Sequence, residues 1–167
     1  MAIIDSILAE IDNELPATLR VIERVPQDKL GWTPHPKSMT IGKLAWHIAA
    51  VPARVLVMLR EGEFDLATSG PSEMPDHPGA IADALRRHMD DVRAYFGTIN
   101  DEALKAPFTM RHGEKVLNKI PKIGVVRGIL LNHTYHHRGQ LAVYLRLLDI
   151  PVPVIYGRSA DENPFAS

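Results

Sequence analysis

Cysteine is absent from the 167 residues, so disulfides and thiolate metal ligands are excluded, and any metal must be held by histidine, carboxylate or solvent. Any thiol in the chemistry then belongs to a substrate. There is no stretch of about 20 apolar residues and no basic leader ahead of an apolar run, which excludes a membrane span and a secretory signal and predicts a cytoplasmic protein. Charge of one sign is not in excess: lysine plus arginine number 19 against 20 acids. No basic run or basic stripe interleaved with aromatics follows the chain, so nucleic acid is not expected as a partner. Internal repeats and low-complexity tracts are missing too, and the length suits one domain over residues 1–167 with a sizeable core.

What the chain does have is the 3.6-residue apolar period in four long segments, separated by pieces rich in proline, glycine and acids. The first runs from Ile3 to Val25, with Ile4, Ile7, Leu8, Ile11, Leu15, Leu19 and Ile22 on one side and Pro16 expected to kink it. The second starts after Ser38 or Thr40, either a fitting N-cap, and ends near Glu61 with Gly62 placed to stop it. A third follows Pro78 and presents Ile81, Leu85, Val92 and Phe96 before Gly97. The fourth, Gly124 to Leu148, carries Val126, Leu130, His133, His137, Leu141, Tyr144 and Leu148. The fold class is therefore all-α, a four-helix bundle with long connections. A small hairpin between the third and fourth helices is expected over Phe108–Ile120, turning at Arg111-His112-Gly113-Glu114. The long connections Gln27–Met39 and Glu63–His77 leave room for a crossover, and Asp65–His77 reads as a surface loop that can wall a pocket.

Chemistry concentrates in three histidines. His133 and His137 lie four residues apart, so on a helix they stack roughly 6 Å apart along the axis and about 40° apart around it, within reach of one ion. His47 interrupts the apolar stripe Ile41, Leu44, Val51, Val55 of the second helix. A lone histidine on an apolar face is more often a hydrogen-bonded core residue than a ligand, but three unpaired imidazoles in one core are costly, and a shared cation explains them together. The leading reading is a three-imidazole site across two helices. His136 points about 100° away from His137, toward a supporting or surface role. His88 is the reserve candidate on the third helix, while His35, His77 and His112 read as solvated loop residues. Arg138 and Gln140 read as surface or interface side chains, Gln140 with the option of a hydrogen bond inside the site. Trp32 and Trp46 read first as packing. Pro52, five residues after His47, predicts a bend beside the site.

Asn132-His133-Thr134-Tyr135-His136-His137-Arg138-Gly139-Gln140-Leu141 resembles the last-helix signature of the DinB/YfiT-like family of metal-binding bundles. Leu30-Gly31-Trp32-Thr33-Pro34, with Ser38 and Ile41-Gly42-Lys43-Leu44-Ala45-Trp46-His47-Ile48, is similar to that family's entry to its second helix. Pro151-Val152-Pro153 and Tyr156-Gly157-Arg158-Ser159-Ala160-Asp161-Glu162 resemble the end of many members. The resemblance implies a bundle of down-up-up-down connectivity, usually a homodimer, in which the positions of His47, His133 and His137 bind a divalent ion, often zinc or nickel. It implies no DNA chemistry. Better understood relatives are thiol-dependent, namely bacillithiol S-transferases and mycothiol-dependent enzymes such as maleylpyruvate isomerase.

The activity expected is that of a metal-dependent thiol S-transferase joining a small-molecule thiol to an electrophile. An open position on such an ion would activate a thiol or a water alike. A non-catalytic module in which the metal ties the second helix to the fourth is the alternative from another class, and a metal-dependent hydrolase is the third. The metalloprotease pattern His-Glu-x-x-His is excluded, because Thr134 follows His133. Hydrolysis would need an acid from elsewhere, Asp161 or Glu162 of the tail being the nearest choices.

Overall fold

Ile4, Ile7, Ile11, Val21 and Val25 are buried along the first helix, α1 (Ile3–Glu23), and its close. That spacing is a seven-residue apolar repeat, and its remaining seam positions are Glu14 and buried Thr18. The stripe read from sequence drifts instead through Leu8, Leu15 and Leu19, which are only half-buried. A simple apolar count favours leucine over a seam that carries two polar residues. The structure, a computed structural model, describes residues 2–70 and 72–165.

A single 3-10 turn at Gln27–Lys29 leads to α2 (Ile41–Glu61). Of the two caps expected, Thr40 does the work: its side chain accepts from the Lys43 amide at 3.2 Å. The first turn of α2 is fastened to the preceding loop by Ile41 N–H donating to the Trp32 carbonyl (2.8 Å) and Gly42 N–H to that of Leu30 (3.1 Å). At Gly42 the approach is so close that a Cβ would lie 2.8 Å from the Leu30 oxygen. Gly62, left-handed at φ 73°, closes the helix as expected. Among the described residues α2 alone is long and apolar enough to cross a membrane, and 61% of that window is buried inside the protein.

The third helix, α3 (Pro78–Phe96), begins with Pro78 in its first turn, and its N-cap is His77, whose ring accepts from the Gly79 amide at 3.0 Å. A short α4 (Asp101–Lys105), too brief to show periodicity, follows. Its Asp101 accepts from the free N–H groups of Ile3 and Ile4 at 2.8 and 3.1 Å, so one element caps another distant in sequence. The last helical run starts at Lys122, two residues earlier than predicted: α5 (Lys122–Val125), a π-helical stretch (Val126–Asn132) and α6 (His133–Leu147). The long helices share one core; α1 packs chiefly on α3 and α6, and so does α2. α1 and α2 therefore occupy opposite corners, the crossover that the long first connection allows.

The all-α expectation needs correction, because the protein is mostly helical with a three-stranded sheet. The predicted hairpin is present as β2 (Pro107–His112) and β3 (Lys115–Pro121), turning at Gly113 with φ 58°. A further strand, β1 (Glu63–Asp65), pairs in parallel with β2, Phe64 opposite Met110. Three residues are too few to show alternation, so β1 reads as loop from sequence alone. Asp65 ties it down, accepting from the Gly113 and Ala67 amides, both at 2.9 Å, and from Arg111 at 2.6 Å. Those two amide bonds, ahead of the Arg111 charge, hold its carboxyl below the usual range. The rest of Asp65–His77 is surface loop as expected; Pro71 lies outside the described residues.

Candidate metal centre

α2 and α6 lie side by side, and His47 from one meets His133 and His137 from the other. Nε2 of His47 and Nε2 of His133 are 2.8 Å apart. The rings stand nearly edge to face, with centroids 5.0 Å apart for His47 and His133, 4.6 Å for His47 and His137, and 4.3 Å for His133 and His137. One ring nitrogen from each lies within 4.8 Å of the other two. The structure thus brings together the three histidines singled out by spacing.

Whether these donors fit an ion follows from their chemistry. Nδ1 of His137 donates to Oε1 of Gln140 at 2.7 Å, which leaves Nε2 carrying the lone pair free to ligate. This is the arrangement that orients a ligating imidazole, and it realises the option noted for Gln140. Two imidazoles bound tetrahedrally at 2.0–2.1 Å hold their nitrogens about 3.3 Å apart, a value inside the span of the cluster. Burial, then the neighbouring His137, His133 and Arg54, lowers the pKa of His47 to about 4. Burial likewise lowers His133 and His137. All three are therefore neutral at neutral pH, the form in which imidazole donates to a metal. The residues fit a divalent cation.

The cluster opens on a pocket of about 720 Å³. His47 and His133 form part of its lining, as do Lys43, Val51, Arg54 and Met58 along one face of α2, Phe64 and Met110 from the paired strands, and Leu66, Ser69, Gly70, Ser72 and Met74 from the following loop. The sheet is what holds the far wall. Trp46 packs against the core as expected and also lines this pocket, pinning the loop over it with its Nε1 donating to the Ser72 hydroxyl at 3.0 Å. Trp32 does pack, edge to face on Tyr144 at 5.7 Å. Among the described residues no aspartate or glutamate lines the pocket.

The remaining histidines stay out of the cluster. Nδ1 of His88 donates to the Ala49 carbonyl at 2.8 Å, and the ring lines a smaller recess alongside, sharing Trp46, Arg54 and Phe64 with the main pocket. His136 is exposed, its ring 5.0 Å from that of His137. Asp161 and Glu162 cannot serve the site as an acid. Asp161 pairs with Arg146 and accepts from Val152 N–H, and Glu162 pairs with Arg24 at 2.6 Å and accepts from Val154 N–H, so both clasp the tail.

Arg138 overturns its surface reading. It is 1% exposed and reaches α1, donating to Thr18 Oγ1 (3.1 Å) and the Glu14 carbonyl (3.2 Å) and pairing with the Glu14 carboxylate at 2.7 Å. The rings of Tyr135 and Tyr156 lie 5.1 and 5.0 Å from its guanidinium carbon. Glu14 and Thr18 on the α1 seam were the available signal. Lys43 and Arg54 were legible too, four residues before and seven after His47, hence on its face of α2.

A family profile described as the DinB superfamily matches residues 10–141. The uncharacterized protein YrdA of Bacillus subtilis strain 168 is 26% identical over 165 residues, covering 95% of this chain and 91% of its own length. Two solved structures share the fold. A DinB-like protein of Bacillus cereus ATCC 10987 superposes with a TM-score of 0.68 at 22% identity, over 91% of this chain and 97% of that one. The DinB-like protein YjoA of Bacillus subtilis gives 0.70 at 18% identity, over 92% and 99%.

Proposed function

The chain belongs to the DinB superfamily, and from that membership and the imidazole cluster we propose that it holds one divalent ion, zinc or nickel, on His47, His133 and His137. The activity we infer is that of a cytoplasmic thiol S-transferase, acting on a low-molecular-weight thiol and an electrophile. One observation carries the reading: three neutral imidazoles converge, and two of them, His47 and His133, line an open pocket while the third, His137, is buried beside them. A divalent ion bound there supplies Lewis acidity, which lowers the pKa of a thiol or water in its open position toward neutrality.

The chain's own residues do the rest. Gln140 fixes the ring of His137, and the apolar wall of Val51, Met58, Phe64 and Met110 excludes water around an electrophile. Transfer forms a carbon–sulfur bond from the thiol's electron pair; the leaving group departs with its own pair, and the thiol proton passes to solvent. Among the described residues the lining has no carboxylate to serve as general base for water, which ranks hydrolysis below thiol transfer. A purely structural ion is disfavoured by the size of the adjoining pocket. We also infer a homodimer, for which the exposed Val143 and Leu147 on α6 offer an apolar face; light scattering tests this.

Metal analysis of protein purified without nickel resin, followed by assay of zinc- and nickel-loaded forms with several thiols and electrophiles, tests the central reading. About one ion per chain and metal-dependent thiol consumption are expected. His133→Ala retaining full metal content would overturn the ligand set, and loaded protein inert to every thiol would leave the structural module.

A further inference from the structure

Arg54 is half-buried in the pocket wall, and its hydrogen-bond partner among the described residues is the Gly70 carbonyl at a long 3.4 Å. Arg24, Arg86, Arg93, Arg111, Arg127, Arg138 and Arg146 each ion-pair with a carboxylate. Arg20, Arg60, Arg87 and Arg158 have no such pair among the described residues but are exposed to water, whereas Arg54 is withdrawn from it and likewise has none. Five donors on a planar cation, partly withdrawn from water and facing a cavity with no acid among the described residues of its lining, form an incomplete pair. The missing half is an anion.

The shape of the pocket says what carries that anion. Seven residues separate Arg54 from His47, so their backbones lie about 10 Å apart along α2, with Val51 between them on the pocket side and Met58 one turn beyond. Bare phosphate would use the cation and waste the apolar wall; a neutral hydrocarbon would use the wall and leave the cation unmatched. Lys43, exposed at the other end of the lining, adds a second positive charge and no competing acid.

We propose that Arg54 is the specificity residue of this pocket and that the pocket takes a small organic acid with an apolar body, its anionic head on the guanidinium and its body along α2 toward the imidazoles. The proposal rests on the reading of this pocket as the working site beside a bound ion, and names the substrate class of that site.

Calorimetric titration separates the two. Cobalt uptake is first recorded by its own absorption, and metal-free and cobalt-loaded protein are then each titrated with decanoate, decan-1-ol, decyltrimethylammonium and acetate. Decanoate is expected to bind at least about tenfold more tightly than decanol, since charge-assisted bonds to a guanidinium are worth that much or more. Acetate, lacking the body, and the cationic probe should not bind measurably. Arg54→Gln should abolish the preference for decanoate while leaving decanol affinity and the melting temperature in place; Arg54→Lys should restore part of it, and Lys43→Gln should weaken it less. Equal affinity for decanoate and decanol, or a preference that survives Arg54→Gln, would overturn the proposal. Decanoate binding through Arg54 with no cobalt uptake would support the pocket assignment and remove the metal reading; absence of both would remove both.

Discussion

Glu14→Gln is the most informative single perturbation of the scaffold, because it alters charge and almost nothing else at a buried ion pair behind the site. The Arg138 side chain is 2% exposed and that of Glu14 18%. With glutamine in place, Thr18 Oγ1, the Glu14 carbonyl and Tyr156 OH (2.5 Å) still accept from Arg138, and the two tyrosine rings still flank it. What disappears is the counter-charge. Leaving a buried charge without its partner costs about 3–5 kcal/mol in general. The retained acceptors and the partial exposure of Glu14 bring the expectation here to about 2–3 kcal/mol. For a chain of this length each kcal/mol moves the melting temperature by roughly 2–4 °C, so a fall of about 4–12 °C is expected.

Urea unfolding at constant slope, with thermal melts alongside, measures it. The double variant Glu14→Leu/Arg138→Met should recover most or all of the loss, since an apolar pair of similar volume carries no desolvation penalty. A single variant within about 0.5 kcal/mol of the parent would refute the reasoning, because that is the scatter expected of an ordinary surface substitution. So would a double variant no more stable than Glu14→Gln.

Three further outcomes are expected. Gln140→Leu should weaken zinc binding about 10–100-fold in a competitive chelator titration, because the His137 ring loses the acceptor that orients it; unchanged affinity would remove Gln140 from the site. Gly42→Ala should lower stability by about 1–3 kcal/mol in thermal melts despite alanine's better helix propensity, because the new methyl meets the Leu30 backbone oxygen at 2.8 Å; a melting temperature at or above the parent's would show that the loop yields. Metal-free protein should lose stability as pH falls from about 7 to 4. The three histidines have folded pKa values below their unfolded value, that of His47 at about 4, so the unfolded chain takes up protons first and the contribution present above pH 6.5 drains away on acidification. A melting temperature flat or rising on acidification through that window contradicts the burial of the cluster.

Much of this architecture is legible in the residues because its signals are local. Thr40, Gly62 and Pro78 mark helix ends by their own backbone chemistry, and the interval between His133 and His137 is a property of any helix. The features that escape are those fixed by tertiary contact. β1 exists because Phe64 pairs with Met110 across the sheet. α4 is five residues long and caps α1 from 97 and 98 residues away in sequence. Arg138 looks like a surface residue until Glu14 and Thr18 are seen to occupy seam positions of α1. Trp46 could not be assigned to wall or core without the loop carrying Ser72.

Register explains why the site and the buried ion pair belong to one design. Val126–Asn132 is wound as a π-helix and stops at His133. A wider turn shifts the phase of every side chain that follows, and such stretches occur frequently at functional sites. Consecutive residues on α6 diverge by about 100°, so one rotation of that helix sends His137 toward His47 on α2 and Arg138 toward Glu14 on α1. Neither contact can be made with the other broken by a turn of the rod. The ion pair behind the helix therefore specifies how the imidazoles in front of it face, and Leu141 and Leu145, both fully buried, lock the same rotation further along. Stability and metal geometry are in this way set by adjacent residues of a single helix, each reading a different neighbour.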